Sequence, residues 1–231
     1  MTLAEDRKQS LSARIYDDLR TQIVSLELEP GTMIFENSIA AAHGASRTPV
    51  RQALTMLERE ELVEVLPQRG ARVAPLSIRK FHEAQAVRET LELAAFRTAA
   101  TIWNSDDPAF AARDRDIEYN LQLQKVSSET SDYLMFTRLD NEFHAAFMVA
   151  AGNLTLFKVV TSMRTHLTRM RYLELAVMKH ERSSMQQHRD IRDAVRRNDV
   201  EGTQELLSEH LGLLDGARDD IIAKHSHLFT D

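Results

Sequence analysis

The stretch ASRTPVRQALTMLEREELVE at residues 45–64 decides how the N-terminal part of this chain is interpreted. It is typical of an amphipathic helix, because its apolar side chains recur every three or four residues and would face a core. Those side chains are Val50, Ala53, Leu54 and Leu57. Ser46 can cap the helix, and Pro49 is tolerated in the first turn, where the amide nitrogen has no partner within the helix. The stretch therefore predicts a helix that begins near Ser46.

The other face of this helix carries the residues that point to a function. It begins at the helix N-terminus and contains Arg47, Thr48, Arg51 and Thr55. Two arginines and a threonine at an exposed helix start suit a phosphate backbone or the edge of a guanine. The alternative is an ordinary surface helix with solvated arginines, so the neighbouring segments are needed to decide.

The neighbouring segments follow a recognisable order. A helix is predicted over residues 10–26, because apolar side chains lie four residues apart there. These side chains are Leu11, Ile15, Leu19 and Ile23. A short helix over residues 36–43 is closed by Gly44. The strings LVEVL, PQRG and ARVA predict a β-hairpin with Arg69 at its tip. This order predicts a winged helix-turn-helix, whose third helix enters the major groove of DNA.

Three strings in this region carry a family resemblance. They are PGT at 30–32, SRTPVRQAL at 46–54 and EREELVEVLPQRGARV at 58–73. In one uninterrupted order over residues 11–75, they resemble the N-terminal domain of the GntR family of bacterial transcription regulators. The resemblance implies a domain that binds double-stranded operator DNA.

The resemblance also implies which residues contact DNA. Arg47, Thr48 and Arg51 correspond to the recognition helix, and Arg69 and Gly70 correspond to the wing tip. Three positions depart from the usual family residues. Gln52 stands where the family usually has Glu, Glu61 where it commonly has Gly, and Asn37 where some members have a further DNA-contacting Arg.

Composition and charge limit the classes of function. The chain has no cysteine, which excludes disulfides, cysteine-based zinc sites and thiol nucleophiles. Its first residues lack a signal-type apolar segment and no run of about 18 apolar residues occurs, so we expect a cytoplasmic protein that makes no membrane contact. Residues 1–75 carry 9 Lys and Arg against 11 Asp and Glu, a net charge of −2. Binding to DNA would therefore depend on local basic clusters and be sensitive to salt.

The rest of the chain is predicted to be helical. Pro75 ends the wing and Ser77 can cap a long helix, so we expect a DNA-binding domain at 1–75 and a second domain at 76–231. Six helices are predicted in the second domain, at 78–103, 108–126, 133–151, 153–178, 184–197 and 200–224. The predicted fold class is thus mostly α, with the winged helix-turn-helix followed by an all-helical antiparallel bundle.

Four ionisable residues fall on apolar faces of three of these helices. They are Asp140, His144, His188 and His210. The apolar residues predicted to share those faces are Phe136, Phe143, Phe147, Ala151, Ile191, Val195, Leu206, Leu207, Leu213, Leu214 and Ala217. Four unpaired polar groups would be costly to bury, and one divalent cation would account for all of them. A carboxylate and three imidazoles suit zinc, nickel, iron or manganese. The alternative for each residue alone is a hydrogen-bonded core side chain.

A second resemblance covers residues 78–225. It rests on DNEFH at 140–144, AGN at 151–153, HRDI at 188–191 and HL at 210–211. These strings resemble the C-terminal ligand domain, of the FCD type, in the FadR branch of GntR regulators. The resemblance implies a metal site formed by the four residues, with zinc as the first choice. Gln187 departs from the pattern, because Glu often precedes the third ligand.

The predicted charge of this site indicates its ligand. One carboxylate and three neutral imidazoles leave a divalent ion with net positive charge and open coordination positions, so we expect a small carboxylate effector. Arg88 can supply a second anchor, as in family members; alternatively it forms a surface pair with Glu92, four residues later. Asn153 either lines the effector cavity or caps the following helix. The remaining histidines are predicted to be surface or core residues; they are His43, His82, His166, His180, His225 and His227.

The sequence therefore predicts a metabolite-responsive transcriptional regulator, of a family whose members are usually repressors, acting as a homodimer and not as an enzyme. One alternative is a metalloenzyme that uses the Asp and His cluster on small organic acids. No obvious general base accompanies the cluster, and an enzyme would have no use for the module at residues 47–70. Another alternative is a purely structural metal in the bundle.

Overall fold

The computed structural model describes residues 10–212 and 215–230, without the side chains of residues 165–166 and 215–217. Leu213, Leu214, Ala217 and His166, for which the sequence predicted positions, therefore lie outside the described side chains. The chain divides into two compact units, which we describe separately. The first ends at Leu76 and also includes Leu228–Thr230, and the second starts at Ser77 and ends at His227.

The first unit contains three helices and a three-stranded antiparallel sheet in the part that the structure describes. The elements are α1 (Leu11–Val24), β1 (Met33–Ile34), α2 (Glu36–Ala42), α3 (Arg47–Arg59), β2 (Val63–Leu66) and β3 (Gly70–Val73). Strand β3 is central, with the order β1-β3-β2. The register places Ala71 opposite both Val65 of β2 and Ile34 of β1. The predicted winged helix-turn-helix is confirmed. The sequence did not predict β1, because two residues are too few to show alternation.

The core of the first unit is formed by the predicted apolar faces of α1 and α3. Ile15, Leu19 and Ile23 are buried. Leu11 shares their spacing but is exposed, because it is the first residue of α1, next to its cap Ser10. Val50, Ala53, Leu54 and Leu57 of α3 are all at most 2% exposed, as predicted.

The second unit is a helical bundle. Its helices are α4 (Ile78–Ile102), α5 (Pro108–Glu129), α6 (Tyr133–Ala150), α7 (Leu154–Met178), α8 (Glu181–Arg196), α9 (Val200–Gly212) and α10 (Asp215–Lys224). A 3-10 turn follows at Ser226–Leu228. The short strands β4 (Leu76–Ser77) and β5 (Phe229–Thr230), of which Leu76 and Phe229–Thr230 belong to the first unit, pair with each other. The side chains that cap four of the helices are Ser77, Asp107, Asp132 and Asn153. No helix in the described ranges is long and apolar enough to cross a membrane.

Two predicted helix boundaries differ from the structure by three residues. Helix α5 ends at Glu129 and not at residue 126. Helix α8 begins at Glu181, three residues before the predicted start, because Lys179 makes the turn alone with a positive φ of 50°. The segment predicted as one helix at 200–224 is helical at Val200–Gly212 and at Asp215–Lys224, and residues 213–214 lie outside the described residues.

Packing in the bundle brings three helices around an aromatic core. Helix α6 packs on α5, α4 and α7, while α8 packs on α5, α4 and α9. Phe96, Phe143 and Phe147 are fully buried, with ring centroids 4.8 Å apart for Phe96 and Phe147. The inward faces of α6, α8 and α9 meet beside these rings.

Candidate functional site

The structure brings together the four residues that the sequence singled out as metal ligands. Asp140 and His144 lie one turn apart on α6, His188 lies on α8, and His210 lies on α9. All four are at most 5% exposed. One ligand atom from each residue can be chosen so that all four atoms lie within 4.8 Å of one another.

The imidazole rings point the same nitrogen at a common centre. The Nε2 atom of His210 lies 3.2 Å from Nε2 of His144 and 3.2 Å from Nε2 of His188. Oδ1 of Asp140 lies 3.4 Å from Nε2 of His188 and 4.0 Å from Nε2 of His144. Two nitrogens bonded to one ion at about 2.0–2.1 Å are separated by roughly 2.9–3.4 Å in octahedral or tetrahedral geometry. The observed nitrogen spacing is therefore that of a metal-binding site.

A second set of side chains holds the three rings in this orientation. Each Nδ1 atom faces a side-chain oxygen, so Nδ1 carries the proton and Nε2 offers a lone pair to the centre. The pairs are His144 with Glu92 Oε2 at 2.7 Å, His188 with Gln124 Oε1 at 2.8 Å, and His210 with Gln187 Oε1 at 3.0 Å. Gln187, which departs from the family pattern, thus orients a neighbouring imidazole.

The protonation states in the cluster suit a metal. Burial would raise the pKa of Asp140, but Arg171 and the imidazoles of His188 and His144 lower that pKa well below its ordinary value. Burial lowers the pKa of His188 to about 4. Burial, together with the other two imidazoles, lowers the pKa of His210 well below its ordinary value. At neutral pH the cluster therefore offers an ionised carboxylate at Asp140 and neutral imidazoles at His188 and His210, the forms that bind metal.

A buried carboxylate oxygen of the cluster lacks a hydrogen-bond partner among the described residues. Oδ2 of Asp140 accepts no hydrogen bond from any described residue, although it is buried. An unpaired buried carboxylate oxygen is costly unless something else satisfies it. The cluster therefore fits a divalent cation, because its donor atoms suit such an ion and because Oδ2 of Asp140 needs a further partner.

Arg88 lies next to the cluster in a buried ion pair. Its Nε donates to Oε1 of Glu92 at 2.9 Å, and the two side chains are 5% and 1% exposed. The pairing that the sequence offered as the alternative is thus present, but it is buried and not on the surface. Burial would raise the pKa of Glu92, but Arg88 and His144 lower it to about 2. Glu92 therefore stays ionised and connects Arg88 to a ring of the cluster.

Asn153 has the capping role. Its side chain accepts a hydrogen bond from the backbone N–H of Leu156 at 3.0 Å, at the start of α7. The residue is exposed. The structure therefore shows the capping alternative for Asn153.

Sequence reasoning missed two side chains that touch the cluster. Gln124 is fully buried on α5 and is held by Asn120, whose Oδ1 accepts from Nε2 of Gln124 at 2.7 Å. Arg171 on α7 donates from Nη2 to Oδ1 of Asp140 at 2.6 Å. A signal was present for Gln124, because it lies on the same helical face as the buried Ile117. The sequence-based prediction included polar residues on the apolar faces of α6, α8 and α9, but none on α5.

Four of the five residues expected to contact DNA line one groove of the first unit, and the fifth, Thr48, is exposed but is not part of that lining. Arg47, Thr48 and Arg51 are exposed at the start of α3. Ser46 is the N-cap residue but makes no side-chain capping hydrogen bond, so the predicted cap bond was wrong. The groove has a volume of about 680 Å³. Its lining includes Arg47, Arg51, Arg69 and Gly70, together with Glu36, Asn37 and Gln68.

Gly70 has a steric reason to be glycine. Its φ is +96°, and a Cβ atom there would lie 2.3 Å from the carbonyl oxygen of Ile34. Strand β1 thus approaches β3 too closely for any side chain at this position. The wing tip therefore depends on Gly70 for its shape, whatever Gly70 contributes to DNA contact.

Comparisons with known proteins agree with these two units. The model of the bacterial regulatory proteins of the gntR family matches residues 11–73, and that of the FCD domain matches residues 83–213. An uncharacterized HTH-type transcriptional regulator in an unstable DNA locus of Streptomyces ambofaciens is 35% identical over 201 residues, covering 85% of this chain and 80% of that protein. The HTH-type transcriptional repressor RspR of Escherichia coli (strain K12) is 25% identical over 223 residues, covering 96% of this chain and 95% of that protein.

A solved structure supports the fold. The Escherichia coli protein McbR/YncC superposes with a TM-score of 0.74 over 91% of this chain and 98% of that chain, at 20% identity. The relatives are transcriptional regulators, among them repressors, and regulators of this kind bind operator DNA and typically dimerise. On the two family matches and the 35% identical relative, the chain belongs to the gntR family of bacterial regulatory proteins and carries an FCD domain.

Proposed function

We propose that this transcriptional regulator senses a small carboxylate at a divalent transition metal held by Asp140, His144, His188 and His210. The observation that carries the proposal is the convergence of four ligand atoms within 4.8 Å in a buried cluster. Zinc is the first choice, with nickel, iron and manganese as alternatives, because imidazoles and one carboxylate suit all four. The bound metal would supply a Lewis acid with positions open to an anion.

The chain's own residues prepare this centre. Glu92, Gln124 and Gln187 hold the three rings by their Nδ1 atoms, so the Nε2 lone pairs need no rearrangement. The ring of Phe143 stacks on His188 with centroids 4.1 Å apart and excludes water from that side. Arg88 remains a proposed anchor for the effector carboxylate, and its pairing with Glu92 keeps its guanidinium beside the cluster.

We assign residues 1–75 to operator binding and residues 76–231 to effector binding and dimerisation. In this assignment Arg47, Thr48 and Arg51 contact the major groove, and Arg69 and Gly70 contact DNA through the wing. Arg47, Arg51 and Arg69 are exposed and line one groove together with Gly70, and Thr48 is exposed at the start of α3, which supports this assignment. A homodimer places two recognition helices on a palindromic operator in the cytoplasm. The effector acts by binding one DNA-affinity state more tightly than the other, and we propose repression as the outcome of DNA binding.

The test of this function uses the full-length chain and the promoter beside its own gene. We expect a sequence-specific complex in fluorescence anisotropy, with an affinity that falls steeply as salt rises. Elemental analysis should find about one metal ion per chain, and adding carboxylates should shift the DNA affinity of the metal-loaded protein only. Absence of any salt-sensitive, sequence-specific complex would overturn the assignment.

Chelation separates the sensor from a purely structural metal. A structural metal predicts that chelator lowers the melting temperature and leaves the effector response of the remaining folded protein unchanged. The sensor predicts that chelator abolishes the response to carboxylates under conditions in which the chain stays folded. A metalloenzyme would instead consume the carboxylate, which chromatography of the incubated mixture would detect.

A further inference from the structure

Two buried amide side chains of α5 connect a backbone carbonyl to one ring of the cluster. Asn120 donates from Nδ2 to the carbonyl oxygen of Leu139 at 3.0 Å. Its Oδ1 accepts from Nε2 of Gln124 at 2.7 Å, and Oε1 of Gln124 lies 2.8 Å from Nδ1 of His188. Asn120 is 9% exposed, and Gln124 and His188 are fully buried. We call Asn120 and Gln124 the amide relay.

The amide relay has a fixed direction. A backbone carbonyl can only accept a hydrogen bond, so Asn120 has to turn its NH2 group towards Leu139. The oxygen of Asn120 then faces Gln124, which has to turn its own NH2 group towards that oxygen and its oxygen towards His188. An amide oxygen cannot donate, so the proton of the neutral ring has to be on Nδ1. The carbonyl of Leu139 thus selects the tautomer of His188 through two amides.

The other nitrogen of the His188 ring faces a competing acceptor. Its Nε2 lies 3.4 Å from Oδ1 of Asp140. A carboxylate is a stronger acceptor than an amide, so a proton on Nε2 would be attracted to Asp140. That tautomer would place a proton where a metal has to bind, because the ligand atom must offer a lone pair. The neutral ring of His188 therefore has one tautomer that can bind a metal at this centre and one that cannot.

His144 does not depend on a neutral partner in the same way. Its Nδ1 lies 2.7 Å from a carboxylate oxygen of Glu92, whereas its Nε2 lies 4.0 Å from Oδ1 of Asp140. Both sides of that ring thus offer a carboxylate, and the nearer one is at Nδ1. At His188 the Nδ1 partner is an amide and the carboxylate is on the opposite side, so the orientation of the amide decides the tautomer.

We propose that Asn120 and Gln124 are positioning residues that hold His188 in the Nδ1–H tautomer and so keep its Nε2 lone pair free for the metal. Without the amide relay, the proton moves to Nε2, where it points at Asp140 and blocks the centre. The consequence for metal affinity rests on the proposed function, because it assumes that the cluster holds a metal. The tautomer itself is a property of the metal-free chain and can be measured separately.

The test is a long-range proton–nitrogen correlation spectrum of the metal-free full-length chain, labelled with nitrogen-15 at histidine, in neutral buffer. The nitrogen chemical shifts distinguish a protonated ring nitrogen from an unprotonated one. The signals of His188 are those missing from the spectrum of His188→Gln. We expect Nδ1 of His188 to be protonated and Nε2 to be unprotonated. A His188 ring with its proton on Nε2 would overturn the proposal, whether or not the chain binds zinc.

Gln124→Met removes the acceptor while keeping the length of the side chain. We expect the proton of His188 to move to Nε2 and the zinc affinity to fall about tenfold, the lower end of the effect of removing a group that orients a metal ligand. Competition with a chromophoric chelator measures the zinc affinity. A Gln124→Met chain that keeps the Nδ1–H tautomer would contradict the proposal even if it binds zinc more weakly, because that loss would come from packing.

Gln124→Glu is the conservative variant that should preserve the effect. A carboxylate accepts from Nδ1 of His188, and a protonated carboxyl group also does so while its O–H donates to Asn120. The variant should therefore keep the Nδ1–H tautomer and at least the wild-type zinc affinity, and the Nε2–H tautomer in this variant would count against the proposal.

Asn120→Leu tests the amide relay separately from the contact of Gln124 alone. It leaves Gln124 in place but frees its amide to turn over, so the Nε2–H tautomer of His188 should appear here too. A wild-type tautomer in Asn120→Leu would show that Asn120 has no positioning role. This variant also provides the decisive measurement if Gln124→Met does not fold, which circular dichroism checks.

Gln122→Met is the matched control. Gln122 is exposed on the same helix as Gln124, so the same substitution there should leave the tautomer unchanged and the zinc affinity within about twofold of the wild type. An equal effect of Gln122→Met and Gln124→Met would overturn the proposal. A wild-type chain that shows the Nδ1–H tautomer but binds no zinc would support the amide relay and contradict the proposed function, so the two failures are distinguishable.

Discussion

Arg51 donates from Nε to both carboxylate oxygens of Glu36, each at 2.9 Å. Glu36 begins α2, Arg51 lies one turn into α3, and both line the groove beside the wing. The pair is exposed, so it contributes little to stability. The pair holds the plane of the Arg51 guanidinium through Nε. A bidentate contact with guanine does not require Nε, so the pair leaves that contact possible.

We therefore expect Glu36→Gln to reduce operator specificity. Loss of the anion frees the Arg51 guanidinium to rotate and removes a negative charge that would face the DNA phosphates. Binding to a scrambled sequence should tighten, and the ratio of specific to scrambled affinity should fall about tenfold, within the energy of one base contact. Anisotropy titrations against both sequences at several salt concentrations measure the ratio. An unchanged ratio would show that Glu36 does not position Arg51.

Arg51→Ala should weaken operator binding and leave the second unit unaffected. Because residues 1–75 have a net charge of −2, no general basic surface compensates for a lost arginine. A lost guanine contact corresponds to about 1–3 kcal/mol, or roughly 5- to 150-fold in affinity. The matched control is Arg59→Ala, an exposed arginine at the other end of the same helix. Metal content and carboxylate binding should be normal in both variants, and equal DNA affinities of the two would remove Arg51 from the interface.

Gly70→Ala should destabilise the first unit. The added Cβ would lie 2.3 Å from the carbonyl oxygen of Ile34, and φ at this residue is +96°. Positive φ and a backbone clash each cost on the order of 1–3 kcal/mol. Gly44→Ala is the control, because Gly44 also has a positive φ, of +58°, but a Cβ there has no atom within 4 Å among the described residues. Urea denaturation should show a larger loss for Gly70→Ala, and equal losses would mean that β1 moves away at little cost.

The sequence predicted the features that depend on spacing along one helix. The apolar faces of α1 and α3 and the polar residues on apolar stripes at Asp140, His188 and His210 follow from the 3.6-residue period. Local signals also predicted the caps at Ser77 and Asn153.

The sequence did not predict the features that depend on which helices face each other. Gln124 and Arg171 touch the cluster because α5 packs on α6 and α8, and α7 packs on α6. No period within α5 or α7 shows these pairings. For Arg88 both alternatives were open, since the sequence places Glu92 within reach but does not show that the pair is buried.

His180 should make the metal-free protein sensitive to acid. Burial, together with the nearby Arg171, lowers the pKa of His180 to about 4, and its Nδ1 is buried without a hydrogen-bond partner among the described residues. The unfolded chain binds this proton near pH 6.5, so between about pH 6.5 and pH 4 the unfolded state binds more protons than the folded one. The free energy of unfolding is therefore unaffected by the His180 proton above pH 6.5, and it falls as the pH is lowered from 6.5 towards 4.

The measurement is urea denaturation of the metal-free chain at several pH values. His180→Gln should reduce the loss of stability between pH 6.5 and 4 without abolishing it, because it removes one of the protons that the unfolded state takes up, while His188 and His210, whose pKa values are also lowered, still contribute. His82→Gln removes an exposed histidine of α4 and should leave the slope unchanged. If His180→Gln follows the wild-type slope, another group is responsible for the acid sensitivity.

His188→Ala should lower metal occupancy and weaken the response to carboxylates. The substitution removes one of three convergent Nε2 atoms and leaves Oε1 of Gln124 without its imidazole partner. The remaining three ligands should bind metal at least tenfold more weakly, while the first unit keeps its fold and the metal-free protein keeps DNA binding. His188→Gln is the second variant, because it refills part of the space beside Phe143 without restoring the ring nitrogen. Elemental analysis after dialysis decides the result, and normal metal content in both variants would remove His188 from the proposed site.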